Sequence, residues 1–126
     1  MLEKTVTVGE KVVKLRSSGA VPRMYRIKFG RDIFLDMLKL QEAYIANVDH
    51  REASNMSVEE LTIFENVAYI MALHADPSVP DSIDKWLEEF EILSIYDVLP
   101  HVLELWKINN VSIAEAKKND PQPSDR

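Results

Sequence analysis

Histidines and carboxylates are the side chains in this sequence whose types and spacing could support metal or acid–base chemistry. His101 and Glu104 lie three positions apart, which on a helix places two metal-ligand types on one face. Such a pair recurs by chance, and a bound metal needs more ligands. His50 lies in a polar connector and His74 near a predicted helix end. We therefore expect the three histidines to serve at the surface or at helix caps, and we expect no metal.

Acidic side chains crowd residues 81–91, and Asp84 and Glu88 share one face of the helix predicted there. General acid–base catalysis would need a substrate pocket beside such a pair and a carboxyl group with a raised pKa. The opposite face is apolar, so the carboxylates are most simply the solvated side of an amphipathic helix. The sequence has no nucleophile elbow, phosphate-binding glycine loop, His-Glu-x-x-His or cysteine. We expect no cofactor and no enzymatic activity, and an enzyme built on His101 and Glu104 is the weakest alternative.

Basic side chains are concentrated just before the second predicted helix. Four of them fall within nine positions: Arg23, Arg26, Lys28 and Arg31. A helix-turn-helix protein would place polar, base-reading residues on the helix that follows. The following segment, "RDIFLDMLKLQEAYIANV", is apolar, and its first turn carries Asp32 and Asp36, which would repel phosphate. We therefore expect no nucleic acid partner. A small transcription-regulatory module, or another interaction module that uses residues 23–31, stands as the alternative function.

The net charge of −6 is unevenly distributed along the 126 residues. Residues 1–40 hold nine Lys or Arg against four Asp or Glu, a net +5, whereas the rest of the chain nets −11. A basic head and an acidic body can pair within one chain or between copies, and the sequence leaves both open. We expect self-association, with tryptophans as apolar anchors of the contact. The predicted interaction residues are Arg23, Arg26, Arg31, Asp84, Trp86, Glu88 and Trp106.

The sequence predicts the secondary-structure elements that position these side chains, and together they indicate a mainly α protein of the α+β class. Two β-branched segments flank a Gly-Glu pair, which predicts a short N-terminal β-hairpin over residues 4–15. Helical periodicity then predicts a compact bundle of about five helices over residues 20–108. Hairpin and bundle make one domain, 1–110, and the polar remainder, 111–126, predicts a disordered, flexible tail.

Residues that start and stop helices punctuate the predicted bundle. Pro22 suits a first helical turn and Gly30 a helix end, so a short helix lies between them. Asp32 caps a second helix that runs to about Val48. A capping box at residues 57–60 starts a third helix. Apolar residues cover so much of this third helix that we expect it at the centre of the bundle.

Two short helices complete the predicted bundle. The first carries Trp86 and Phe90, and the second begins at Ser94 and carries Trp106. Pro100 falls about six positions into the second of these helices, past the first turn in which proline is tolerated. The sequence therefore predicts a kink at this proline.

The chain shows no sequence signal for a membrane. No apolar run approaches the ~20 residues that a span requires, and "MLEKTVTVGEKVV" lacks the apolar core of a signal peptide. The absence of cysteine suits a reducing compartment. We expect no membrane partner and a cytoplasmic location.

Four segments, in their order along the chain, resemble the tail assembly chaperones of long-tailed phages and prophages of Gram-positive bacteria. These segments are "FGRDIF", "FENVAYIMA", "IDKWLEEF" and "LPHVLELW". The similarity runs from about residue 3 to residue 118, which is nearly the whole chain.

The resemblance implies a small, mainly helical and non-enzymatic protein made in the infected cell. Such a protein shields the long, aggregation-prone tape measure protein and helps to recruit tail tube subunits. The partners so implied are the tape measure protein, the tail tube protein and a frameshift-extended form of the chain itself. The location implied is the cytoplasm of the bacterial host, with no copy in the mature virion. An A-rich run of nucleotides encoding Lys117-Lys118-Asn119 would be the place for the frameshift.

Overall fold

The computed structural model describes residues 2–46, 56–92 and 94–106, and it confirms the predicted α+β fold. In chain order the elements are β1 (Leu2–Val8), β2 (Lys11–Ser17), α1 (Val21–Phe29), α2 (Ile33–Ala46), α3 (Val58–Ala75), α4 (Ile83–Leu87), a 3-10 helix (Ser94–Val98) and α5 (99–106). The predicted end of the second helix at Val48, most of the connector after it and the tail 111–126 lie outside the described residues.

The N-terminal hairpin forms around the predicted glycine turn. β1 and β2 pair antiparallel with Val6 opposite Val13, and a two-residue loop joins Val8 to Lys11. Gly9 opens this loop at φ 62°, a left-handed conformation that glycine adopts without a steric penalty. Alternation along both strands places one apolar row on the core side of the hairpin: Val6, Val8, Val13 and Leu15 are all buried.

Helix α3 lies at the centre of the fold, as its wide apolar surface predicts. Ser57 accepts a hydrogen bond from the backbone N–H of Glu60, and the Glu60 carboxylate accepts one from the N–H of Ser57, so the capping box is present. Its buried side chains are Ile63, Phe64, Val67, Ala68, Tyr69, Ile70, Met71 and Ala72. β2, α1 and α2 all pack against α3, so this helix organises the core.

Glycine and aspartate form the joint between α1 and α2. Gly30 ends α1 at φ 67°, and its N–H donates to the carbonyl of Arg26 at 2.7 Å. The Asp32 carboxylate accepts a hydrogen bond from the N–H of Phe34 at 2.8 Å, which caps the start of α2. Both features agree with the helix signals in the sequence. The short joint fixes the relative positions of the two helices.

Replacing Gly30 with alanine is expected to lower the free energy of unfolding by about 1 kcal/mol, because an L side chain is disfavoured at positive φ. An added Cβ would meet no atom within 4 Å, so the cost is conformational and not steric. Gly19→Ala is the matched control, since Gly19 has equally open surroundings and no positive φ. Urea titrations of the two variants measure the difference, and equal stability would contradict the assignment.

The C-terminal part of the fold corrects one prediction. The helix predicted from Ser94 is divided into the 3-10 helix Ser94–Val98 and α5, which begins at residue 99. Pro100 is therefore the second residue of α5 and lies in its first turn, where the missing N–H has no intrahelical acceptor to lose. The premise of the expected kink, a proline past the first helical turn, is wrong, because α5 begins about five residues later than the capping signal indicated.

Candidate protein-interaction surface

Ion pairs within the chain join much of the basic head to acidic residues. Lys4 donates to Glu104 at 2.7 Å and Lys11 to Glu89 at 2.7 Å, so both strands of the hairpin are fastened to the C-terminal half. The other described ion pairs of the head are Arg16–Glu3, Arg31–Asp36 and Lys39–Glu59. Three of these five pairs join head to body and two lie within the head, so the pairing of head and body that the charge asymmetry predicts occurs in part inside one molecule.

Asp36 is the centre of a buried polar network below the α1–α2 joint. Only 4% of this residue is exposed, and its carboxylate accepts two hydrogen bonds from the Arg31 guanidinium, both at 2.7 Å. The hydroxyl of the fully buried Tyr25 donates a third at 2.6 Å. Arg31 holds the pKa of Asp36 below its ordinary value, and burial raises the pKa of Tyr25.

The network corrects the prediction for Arg31. Its guanidinium is committed to Asp36 in a bidentate pair, although its side chain stays about half exposed. Lys28 is also engaged, because its ammonium donates to the Asp81 carbonyl at 2.9 Å and lies 5.7 Å from the Tyr69 ring centroid. Two of the four basic side chains in residues 23–31 therefore act inside the fold.

Arg23 and Arg26 are the members of the basic segment that keep a free charge. Both are exposed on α1, and neither side chain forms a hydrogen bond or ion pair with a described residue. They lie three positions apart and so share a helix face, as the sequence predicts. Their guanidinium groups are open to carboxylates of another molecule.

The tryptophans predicted to anchor an interface are core residues. Trp86 is 1% exposed, with its ring centroid 5.6 Å from that of Tyr69 and 5.0 Å from that of Phe90. Trp106 is 4% exposed and its ring lies 5.3 Å from that of Phe34. Neither ring offers surface to a partner in this conformation. The prediction failed because an amphipathic pattern shows which face of a short helix is apolar, but not how deeply the fold covers it.

The predicted acidic residues lie at the surface. Asp84 is in α4, and Glu88 caps the end of that helix, with its N–H donating to the Asp84 carbonyl. Both side chains are exposed and form no ion pair with a described residue, as is also true of Glu91. The unpaired surface charges of the described residues thus include arginines on α1 and carboxylates around the end of α4.

An apolar row on the outer face of α2 is the feature that sequence reasoning missed. Phe34, Leu35 and Leu38 are 50%, 65% and 53% exposed, while Ile33, Met37 and Leu40 of the same helix are buried. Spacings of three and four residues place the exposed three side by side. Helix α2 is therefore apolar on two faces, and only one of them is used by the core. The signal was available, because its apolar positions are too many for a single stripe.

An open groove of about 380 Å³ lies beside this row, at the α1–α2 joint. Pro22, Ile33 and Phe34 give it apolar walls, and the unpaired Arg26 also lines it. Asp32 lines it as well, although one of its oxygens is occupied by the cap of α2. The groove combines apolar surface with a free guanidinium, and arginine is enriched at protein–protein contacts.

The residues with potential chemistry take structural positions. His74 Nε2 lies 2.8 Å from the Ser18 hydroxyl, and burial lowers the pKa of this histidine. Glu104 pairs with Lys4, and the buried Nδ1 of His101 has no hydrogen-bond partner among the described residues. Within the described ranges no group of three acidic or histidine side chains could hold a metal. His50 lies outside those ranges.

Glu65 is a carboxyl that the sequence did not single out. Burial raises its pKa, and its carboxylate accepts a hydrogen bond from the Tyr96 hydroxyl at 3.3 Å. The pair joins α3 to the 3-10 helix, where the Phe64 and Tyr96 rings also meet at 5.8 Å. A structural link between two elements accounts for this arrangement.

Comparison with known proteins yields no relative of this chain: no family model, no curated protein and no solved structure matches it. Of the helices that the structure describes, none is both long and apolar enough to cross a bilayer.

Proposed function

We propose that this protein is a non-enzymatic tail assembly chaperone of a phage or prophage, which binds the tape measure protein during tail assembly. The observation that carries the proposal is the exposed apolar row of Phe34, Leu35 and Leu38 on α2. The resemblance of the four sequence segments supports the same function.

The row on α2 suits a helical client. Side chains spaced three and four apart form a ridge that packs against apolar residues of a second helix. The buried face of α2, with Ile33, Met37 and Leu40 in the core, holds the ridge rigid before the client arrives. Little conformational entropy is then lost from α2 on binding, and a preorganised surface loses less affinity to ordering.

The size of the row favours weak, repeated contacts. Burying the remaining exposed half of three large side chains contributes about 3 kcal/mol. Loss of translational and rotational freedom alone costs more than this, so one such contact does not hold a client. Many copies along one extended client gain strength by multivalency and still release one at a time. An assembly factor that coats a long protein and then departs requires this behaviour.

The other expected partners belong to the same proposal. These are the tail tube protein, whose subunits the chaperone helps to recruit, and a frameshift-extended form of the chain. Lys117-Lys118 follow α5 in the sequence, so a frameshift there would leave the sequence of every described element unchanged. The reading frames of the neighbouring genes test this part: a tape-measure-like frame downstream and an overlapping frame across the two lysines are expected. Action in the host cytoplasm and absence from the virion complete the proposal.

Co-expression tests the client contact. The wild-type chain is expected to raise the soluble fraction of a tape-measure-like protein encoded beside it. Leu35→Glu combined with Leu38→Glu should remove most of that gain, because two carboxylates would be desolvated at the apolar contact. The matched control is Val12→Glu combined with Val58→Glu, which places the same substitution at exposed apolar sites outside α2.

The soluble fraction is measured by sedimentation and gel densitometry, and circular dichroism verifies that each variant is folded. No gain in solubility from the wild type would overturn the proposed function. Equal loss in the α2 variant and in the control would place the client elsewhere on the surface.

A DNA-binding module is the second candidate, because Arg23 and Arg26 pair with no described residue. Two guanidinium groups neutralise about two phosphates, so the slope of log K against log salt concentration would be about −2. A band shift with that slope, lost in Arg23→Glu/Arg26→Glu, would support this candidate. Absence of a shift at low salt would remove it.

A further inference from the structure

An isoleucine stands at the tip of an acidic turn after α4. Ile92 is 90% exposed, the largest exposure recorded among the large apolar side chains of the described residues. The N–H and the hydroxyl of Ser94 both donate to the Glu91 carbonyl at 3.1 Å, which closes a turn with Ile92 on its outer side. Turn tips favour polar residues, so an apolar side chain there is without a local structural reason.

Two unpaired carboxylates precede this side chain in the sequence. Glu91 precedes it directly and Glu88 lies four residues before it, both exposed and without an ion-pair partner among the described residues. Glu89, between them in sequence, is already bound to Lys11. We name Glu88, Glu91 and Ile92 the acidic knob, since it combines one exposed apolar side chain with two unpaired carboxylates close to it in sequence.

The groove at the α1–α2 joint has the opposite character. Its walls are apolar, from Pro22, Ile33 and Phe34, and the unpaired Arg26 lines it. Asp32 and Arg31 line it too, but Asp32 caps α2 and Arg31 is paired with Asp36. Arg23 adds a second free guanidinium on the same face of α1. At about 380 Å³ the groove has ample room for a branched aliphatic side chain. We name Pro22, Arg23, Arg26, Ile33 and Phe34 the basic socket.

We propose that the acidic knob of one copy of this protein docks in the basic socket of another copy, with Ile92 in the groove and the two carboxylates against Arg23 and Arg26. Charge complementarity selects a second copy as the occupant. Among the described residues, two arginines at the groove and two glutamates close to Ile92 in sequence form no ion pair, and each set lies on a surface with exposed apolar area. The inference concerns how copies meet, so it does not depend on what client they bind.

The docking joins two different surfaces, so it is heterologous. Such a contact leaves a knob free on one copy and a socket free on the other, and it propagates until a ring closes or a filament grows. If the knob of each copy instead occupied the socket of the other, assembly would stop at a dimer. Exposed ion pairs weaken with salt, so assembly is expected to fall as the NaCl concentration rises.

Charge reversal on either side tests the proposal by sedimentation velocity and light scattering across a range of concentrations. The wild type is expected to exceed the 14.5 kDa of the monomer at low salt. Arg23→Glu/Arg26→Glu and Glu88→Arg/Glu91→Arg should each raise the self-association Kd roughly tenfold or more, since attraction becomes repulsion. Ile92→Ser should do so by about tenfold through lost apolar burial.

Complementation makes the test specific. An equal mixture of the two charge-reversed variants restores opposite charges at every contact, so association should return to near the wild-type level. The single variant Lys14→Glu, which changes an exposed lysine of β2, controls for net charge and should leave association unchanged. Thermal unfolding of each variant monitors the fold.

Three results would overturn the proposal. They are a wild type that stays monomeric at all concentrations, charge reversal without effect, and a mixture that fails to associate. Reversal at Arg23 and Arg26 that abolishes client solubilisation but not self-association would also overturn it, because the socket would then hold the client. Failure of the co-expression experiment alone leaves these measurements intact, so the two proposals fail separately.

Discussion

Trp86→Ala is expected to lower the free energy of unfolding by about 4 kcal/mol, the largest effect of any single substitution considered for this protein. The indole is almost fully buried and contacts the rings of Tyr69 and Phe90, so truncation removes apolar area, two aromatic contacts and the packing of α4 on α3. For a chain of this size the loss corresponds to a fall in Tm of about 15 °C. Urea and thermal unfolding measure both quantities.

Ile92→Ala is the contrasting variant for this experiment. It also truncates a large apolar side chain near α4, but at a position that is 90% exposed, so the stability of the monomer should hardly change. If Trp86 instead anchored an interface, its replacement would leave the stability of dilute monomer intact and abolish self-association. That outcome would refute the assignment of Trp86 to the core.

Asp36→Ala is expected to cost about 3 kcal/mol of stability, the second largest effect. Removal of the carboxylate leaves the Tyr25 hydroxyl buried without an acceptor, and an unsatisfied buried donor is costly. Arg31 is half exposed and recovers much of its hydration, so the loss stays below that of a fully buried ion pair. The free energy of unfolding in urea is the quantity to measure.

Two variants sharpen this test. Asp97→Ala removes an exposed carboxylate that has no ion pair with a described residue and should have little effect. Asp36→Leu combined with Tyr25→Phe removes both ends of the buried hydrogen bond and should recover most of the stability. A double variant as unstable as Asp36→Ala would show that the network itself is not the cause.

The same carboxylate predicts a dependence on pH. Its pKa is lowered in the folded state, chiefly by the hydrogen bonds from Arg31, so folding favours the ionised form. The stabilisation is therefore complete above the ordinary aspartate pKa of about 3.9 and is lost as pH falls through the lowered folded value. Below about pH 4 the wild type should lose stability faster than Asp36→Ala, as followed by unfolding at a series of pH values.

Local signals in the sequence predicted the parts of the fold that local physics determines. The Gly9 turn, the helix end at Gly30 and the capping box at Ser57 each depend on residues within four positions, so each could be recognised without knowledge of the core. The central place of α3 also followed from its own composition. Of these features, the helix end at Gly30 positions the α1–α2 joint and hence the groove beside it.

The burial of the tryptophans and the partners of the arginines depend on tertiary packing, so the sequence alone did not predict them. Trp86 and Trp106 have the pattern of exposed anchors on short helices, and only the placement of Tyr69 and Phe34 against them shows that they are covered. Arg31 could have reached another molecule, but it lies just before α2 and pairs with Asp36 in the first turn of that helix. The difference between the unpaired Arg23 and Arg26 and the engaged Lys28 and Arg31 likewise becomes visible only in the folded chain.

The ion pair between Lys4 and Glu104 joins residues 100 positions apart, and this separation has a consequence for synthesis. A two-stranded hairpin is marginal alone, and β1 packs on the 3-10 helix at Ser94–Val98. The hairpin is therefore translated first but finds its last tertiary partners only when the ribosome has passed residue 104. β2 gains its contact with α3 earlier, but β1 lacks its contacts with the 3-10 helix and Glu104 during that interval, so this part of the fold is completed late in synthesis.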